Sequence, residues 1–172
     1  ELIETGIILE DYPDYISKGF GKAMDQARED VLSFNMELNR MTLDGVLTEE
    51  ESNALADRVN KACESAIEAI NSKQEEIQKS FAEAFNADGI LDENEQILMN
   101  YYQRTGDTSK QEVQQMQSEI NELQRKVREE GYVLTAEDEE NIKNYYQRIL
   151  QLELEAQANN QFELDYSQNQ FK

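Results

Sequence analysis

Between residues 14 and 158 the apolar side chains recur at spacings of three and four, the period of helices that bury one face. From Asp14, DYISKGFGKAMDQAREDVLSFNMELNRM carries Ile16, Phe20, Met24, Ala27, Val31, Phe34 and Leu38 on one stripe. Gly19 and Gly21 weaken its first turns, and it is expected to stop at TLDG, where Gly45 can take positive φ. A second stripe, Leu55, Val59, Ala62, Ala66, Ile70, Ile77, Phe81 and Ala84, runs from Glu49 to about Phe85 without Pro or Gly. It predicts one helix of about 37 residues, roughly 55 Å long at ~1.5 Å per residue. A compact chain of this length has a radius of gyration of only about 16 Å. The molecule is therefore expected to be elongated.

A third helix starts near Glu93 and runs through ILMNYYQR to an expected break at TGD, residues 105–107. There Gly106 can end it, and Ser109 with Glu112 can cap a new one. Val113, Met116, Ile120, Leu123 and Val127 then alternate in threes and fours, the seam of a coiled coil. The seam is short, about two and a half heptads, so an antiparallel partner within the chain is expected before a dimer. A last helix begins near Ala136 and carries Ile142, Tyr145, Ile149, Leu152 and Ala156. Outside this region, residues 1–13 (with Leu2, Ile3, Ile7, Ile8 and Leu9) and residues 159–172 (with Phe162, Leu164 and Tyr166 alternating) read as extended. Frayed ends are the simpler expectation for them, and a short β ribbon between them is the alternative. The fold class is all-α: four to five helices in elongated antiparallel hairpins about Gly45, Gly89 and Gly131.

The turns are related. DGVLTEEE at 44–51, DGILDENE at 88–95 and EGYVLTAED at 130–138 place Leu47, Leu91 and Leu134 at spacings of 44 and 43, and NYYQR occurs at 100–104 and again at 144–148. A period of about 44 is that of a helical repeat. In each turn the Gly ends one helix, and Thr48, Asp92 or Thr135 can N-cap the next. Glu51, Glu95 or Asp138, three residues on, completes a capping box. The tyrosine pairs Tyr101 with Tyr102 and Tyr145 with Tyr146 point about 100° apart, so one ring of each is expected in the core and one at its edge.

The middle turn also resembles a calcium loop. AFNADGILDENE at 84–95 puts Asn86, Asp88, Gly89, Asp92 and Glu95 at the third, fifth, sixth, ninth and twelfth positions of an EF-hand loop. The first position, however, is Ala84, and the sister turns have Arg40 and Lys126 there. Asn86, Asp88, Asp92 and Glu95 are the candidate metal ligands of a degenerate loop; architecture is the preferred reading.

Composition narrows the chemistry. There is no His and one Cys, which removes His-dependent triads, intrachain disulfides and the usual zinc and haem ligand sets. Cys63 shares a helix face with Val59, Ala66 and Ile70 and is read as a small buried apolar residue. Thirty-seven acidic against 16 basic residues give a net charge of −21, which opposes direct binding to nucleic acid or anionic lipid. No apolar run reaches the ~20 residues of a membrane span. No phosphate loop or nucleophile motif is present, and carboxylate pairs are too common here to mark catalysis. No catalytic residue and no cofactor are expected. A chain that begins with Glu1 is expected to be a processed product or part of something longer.

DGVLTEEE and GYVLTAEDEENI, each opening a Gln- and Glu-rich helix between long helices, resemble the repeated helical regions of tail tape-measure proteins from phages and prophages of Gram-positive bacteria. The resemblance covers roughly residues 40–158. It implies a non-enzymatic structural role: setting tail length during assembly in the bacterial cytoplasm, then occupying the virion tail as an extended helical multimer. The partners it implies are proteins, either further copies or other tail components. A helical interaction module of a secreted or surface protein is the alternative.

Overall fold

Two of the helix starts are built by a threonine and an acid three residues apart. The Glu51 amide donates to Thr48 Oγ1 and the Thr48 amide to Glu51 Oε1, both at 3.0 Å. At the later turn the Asp138 amide donates to Thr135 Oγ1 at 3.0 Å and the Thr135 amide to Asp138 Oδ2 at 2.9 Å. Each box satisfies amides that the first turn of a helix leaves without carbonyl partners. The preceding helices stop at glycines with positive φ, Gly45 at 85° and Gly131 at 67°, a conformation that a side chain would strain.

The computed structural model describes the backbone of residues 14–43, 45–88 and 93–170, and the side chains of 22–43, 45–83 and 93–157. Four helices follow one another: α1 Asp14–Thr42, α2 Glu49–Asp88, α3 Glu93–Glu130 and α4 Ala136–Gln170. At 40 residues, α2 is about 60 Å long. No strand occurs among the described residues, and none of the helices described is long and apolar enough to cross a membrane.

Two boundaries differ from the sequence reading. The expected break at residues 105–107 is absent, and α3 continues through Gly106. Gly106 is needed for close approach instead: a Cβ there would lie 2.7 Å from Cδ of Gln74 on α2. The extended segment expected from 159 onward is also absent, because α4 runs to Gln170. Once a helix is nucleated, propagation costs little, and QFELDYSQNQ contains neither Pro nor Gly to stop it. This leaves no C-terminal strand for the β ribbon that was the alternative to frayed ends. Residues 1–13 and the turn at Gly89 lie outside the described residues.

The four helices pack side by side in one bundle. Pairs such as Asn53 with Gln124 and Gln74 with Gln103 set α2 antiparallel to α3, while Met24 with Leu154 and Asp30 with Tyr146 set α1 antiparallel to α4. Arg58 with Tyr146 and Ser65 with Glu153 set α2 parallel to α4 at an offset of 88 residues, two repeat lengths. Helices α2 and α4 pack together in the middle, with α1 chiefly on α4 and α3 chiefly on α2. Val31, Phe34, Leu38, Val59, Cys63, Ala66, Ile142 and Ile149 fill the core between α1, α2 and α4. The α3 seam residues Val113, Met116 and Ile120 join the same core, so the seam is satisfied within the chain. Each fully buried Val, Ile or Phe contributes about 1.5–3 kcal/mol of transfer free energy. Ile77, Phe81 and Tyr102 make a second cluster towards the α2/α3 turn.

Candidate functional site

The metal candidates do not come together as a described site. Asn86 and Asp88 lie in the last turn of α2, and their side chains, like Asp92, fall outside the described residues. Glu95 is buried in the first turn of α3, the place that Glu51 and Asp138 hold in their helices. Among the described residues no group of three or more acids or Cys is placed to hold a metal ion. In the two turns that are described, the motif makes helix caps. At the third, Tyr132 adds a hydrogen bond to Asp138 from across the turn. Burial raises the Asp138 pKa, but the Tyr132 and Thr135 hydrogen bonds outweigh it and leave the carboxyl below its ordinary value.

The tyrosine pairs divide as their spacing demands. Tyr102 and Tyr146 are buried, Tyr145 is half-buried and Tyr101 is exposed, edge-on to Tyr102 at 5.6 Å. Tyr146 stacks on Phe34 of α1 at 3.9 Å and donates to Asp30 Oδ1 at 2.9 Å. Beside this stacked pair, 5.4 and 5.5 Å from the two ring centres, lies the guanidinium of Arg58. Arg58 donates to Asp30 Oδ1 at 2.6 Å and to Glu37 Oε2 at 2.7 Å, so one side chain joins α1, α2 and α4. The Tyr146 hydroxyl is pushed up to about 12, first by burial, then by Asp30 and against Arg58. The neutral phenol and the arginine, paired with two carboxylates, lock the three helices together. Sequence reasoning missed Arg58, although the repeat points to it: 44 and 88 residues on stand Tyr102 and Tyr146.

A second feature was also missed. Along the α2/α3 groove, Asn53 accepts from Gln124, Asn60 from Gln117, and Gln74 and Gln103 donate to each other's backbone carbonyls. Successive rungs are 7 or 14 residues apart on both helices, as edge positions of a heptad are. Gln74 also donates to Asp107 Oδ1 at 3.0 Å, over Gly106. Neutral amides give this interface its register without adding charge to an already acidic chain. Beside α4, a groove of about 260 Å³ is lined by Ala27, Asp30, Glu153 and Leu154 of α1 and α4; Asp30 is taken by Arg58 and Tyr146, and Glu153 accepts from Ser65.

The outer surface has apolar positions at both ends of the molecule. Leu32 and Met36 on α1, and Leu43, Val46 and Val133 around the Gly45 and Gly131 turns, are exposed at one end; Ile97 and Tyr101 on α3 are exposed at the other. Cys63, by contrast, is fully buried, and burial lifts its thiol to about 11, so it is no nucleophile at neutral pH. Compared with protein-family models, with curated proteins and with solved structures, the chain matches none.

Proposed function

We propose that this chain is a non-enzymatic structural segment of a phage tail tape-measure protein, working in the tail of the virion after assembly in the host cytoplasm. The observation that carries the reading is the period of 44 residues expressed as consecutive long helices, with α2 and α4 in parallel register at twice that period. Length is what such a repeat encodes most directly, and the contacts found at the repeated positions are caps, rungs and core. Deleting one period in frame from the parent gene of an intact phage tests it. A helix of that length spans about 66 Å, so the tails of the deletion phage are expected to be measurably shorter by tens of ångströms in electron micrographs. Tails of unchanged length overturn the proposal.

The exposure of Met36, Ile97 and Tyr101 favours a second reading, a helical module that binds a protein partner at a cell surface. That reading expects a parent gene outside a tail operon, with no further copies of the period.

A further inference from the structure

Along one row of α1 the side chains change from large to small. Met41 and Phe34 are buried, whereas Ala27 and Ala23, further along the same row, are only half-buried. The groove of about 260 Å³ lies where the alanines stand, with Leu150 and Leu154 of α4 completing its apolar floor. At this level the described apolar contact of α1 with α4 is a small cluster, Met24 and Leu154 flanked by the same alanines, separate from the main core. Ahead of α1, among the residues outside the described structure, the chain carries the apolar run GIIL at 6–9. We propose that this segment folds back along α1 and fills the groove, with Ile7 and Leu9 as the side chains that enter it.

The length of the connection selects this occupant. Pro13 directly precedes α1 and disfavours helical backbone at Tyr12, which favours an extended course for the segment ahead of it. Counted from Asp14 at ~1.5 Å per residue, Ala23 and Ala27 lie about 14 and 20 Å along the helix. Counted back from Pro13 at ~3.3 Å per extended residue, Leu9 and Ile7 reach about 13 and 20 Å. The two pairs fall level, and alternate residues of an extended chain share a face, so Ile7 and Leu9 enter together. An apolar space of about 150 Å³ accepts a benzene molecule, and the groove is large enough for two aliphatic side chains. The charges agree with this register. Glu10 falls level with Lys22, an exposed cation with no ion pair to another described residue. The uncharged Thr5 and Gly6 fall level with Asp30. Of the groove's two carboxylates, Asp30 is held by Arg58 and Tyr146, and Glu153 accepts from Ser65, so neither faces the apolar segment unbonded.

Disulfide trapping in the 172-residue chain, with Cys63→Ala as background, tests the proposal. Ile7→Cys is combined with Ala27→Cys or, as a control, with Asp25→Cys, at nearly the same height but on the opposite side of α1. With oxidised glutathione the first pair is expected to cross-link within single chains roughly tenfold faster than the control, since docking raises the local concentration on one face only. Equal rates overturn the docking, as does a cross-link formed only between chains, which would give the groove to a second copy. Ile7→Ser with Leu9→Ser changes only residues ahead of the helices. This variant is expected to keep the helical circular dichroism and to lower the urea midpoint, and an unchanged midpoint also overturns the proposal. Both readouts use the chain alone, so their failure is separate from that of the tail-length test.

Discussion

At the scale of single residues, Arg58 carries the most. It has taken a place where the other repeats hold a tyrosine, and from there it pairs with two carboxylates beside the stacked rings of Phe34 and Tyr146. Removing it leaves Asp30 and Glu37 on the same helix without their shared cation. The group is partly exposed, so solvent screens part of the loss. Arg58→Ala is expected to lower stability by about 1–3 kcal/mol in urea unfolding, through lost packing as well as lost charge. No change in the urea midpoint would refute the assignment. The candidate metal residues Asn86, Asp88, Asp92 and Glu95 make a different prediction. If the middle turn caps α3 as its sisters cap their helices, millimolar calcium leaves the circular dichroism and melting temperature unchanged, and Glu95→Gln does not alter that. Saturable calcium binding by calorimetry would return the turn to the metal-binding loops.

At the scale of helices, what could be read from sequence was what is local. Helix starts at Thr48 and Thr135 and stops at Gly45 and Gly131 depend on residues within one turn, and all four stand where the pattern placed them. Gly106 was misread because its reason lies on another helix: a glycine at the end of a stripe and a glycine beneath Gln74 look alike in one dimension. The Asn and Gln rungs were passed over because polar side chains at heptad edges are indistinguishable from an ordinary solvated face until the partner helix is known. The alternation of Phe162, Leu164 and Tyr166 misled in the opposite way, as a short run whose state was decided by the helix entering it. Gly106 also yields a measurable coupling. Alanine is better than glycine in a helix by about 1 kcal/mol, but beside Gln74 its Cβ displaces a buried amide from two acceptors. Gly106→Ala is therefore expected to destabilise the native chain by about 1 kcal/mol and to stabilise a Gln74→Ala background by about as much. Additive effects of the two substitutions would dissociate the glycine from the amide.

At the scale of the whole molecule, charge and burial set opposing limits on pH. With a net charge of −21, the folded bundle repels itself at neutral pH, and the repulsion falls as the pH approaches the isoelectric point near 4.2. Stability should rise over that interval until the depressed Asp138 carboxyl is protonated. A group whose pKa is lowered by folding contributes above its unfolded value and is lost as the pH falls through the folded one. The alkaline limb has the opposite sign. Burial lifts Cys63 to about 11 and Tyr146 to about 12, and Tyr145 reaches about 12 chiefly through its hydrogen bond with Glu119. In the unfolded chain a thiol titrates near about 8.5 and a phenol near about 10, so the unfolded state ionises first and is favoured as the pH rises. The melting temperature is expected to fall progressively between about pH 9 and 12, and Cys63→Ala to move the onset upward towards the phenol range. Self-repulsion among carboxylates is screened by salt, whereas the preference of a buried thiol or phenol for its neutral form is not. Raising the salt to about 0.5 M, where the screening length is only a few ångströms, should therefore lift the whole curve near neutrality and leave the alkaline fall in place. A fall that salt abolishes would assign it to surface charge instead of to the buried Tyr146 and Cys63.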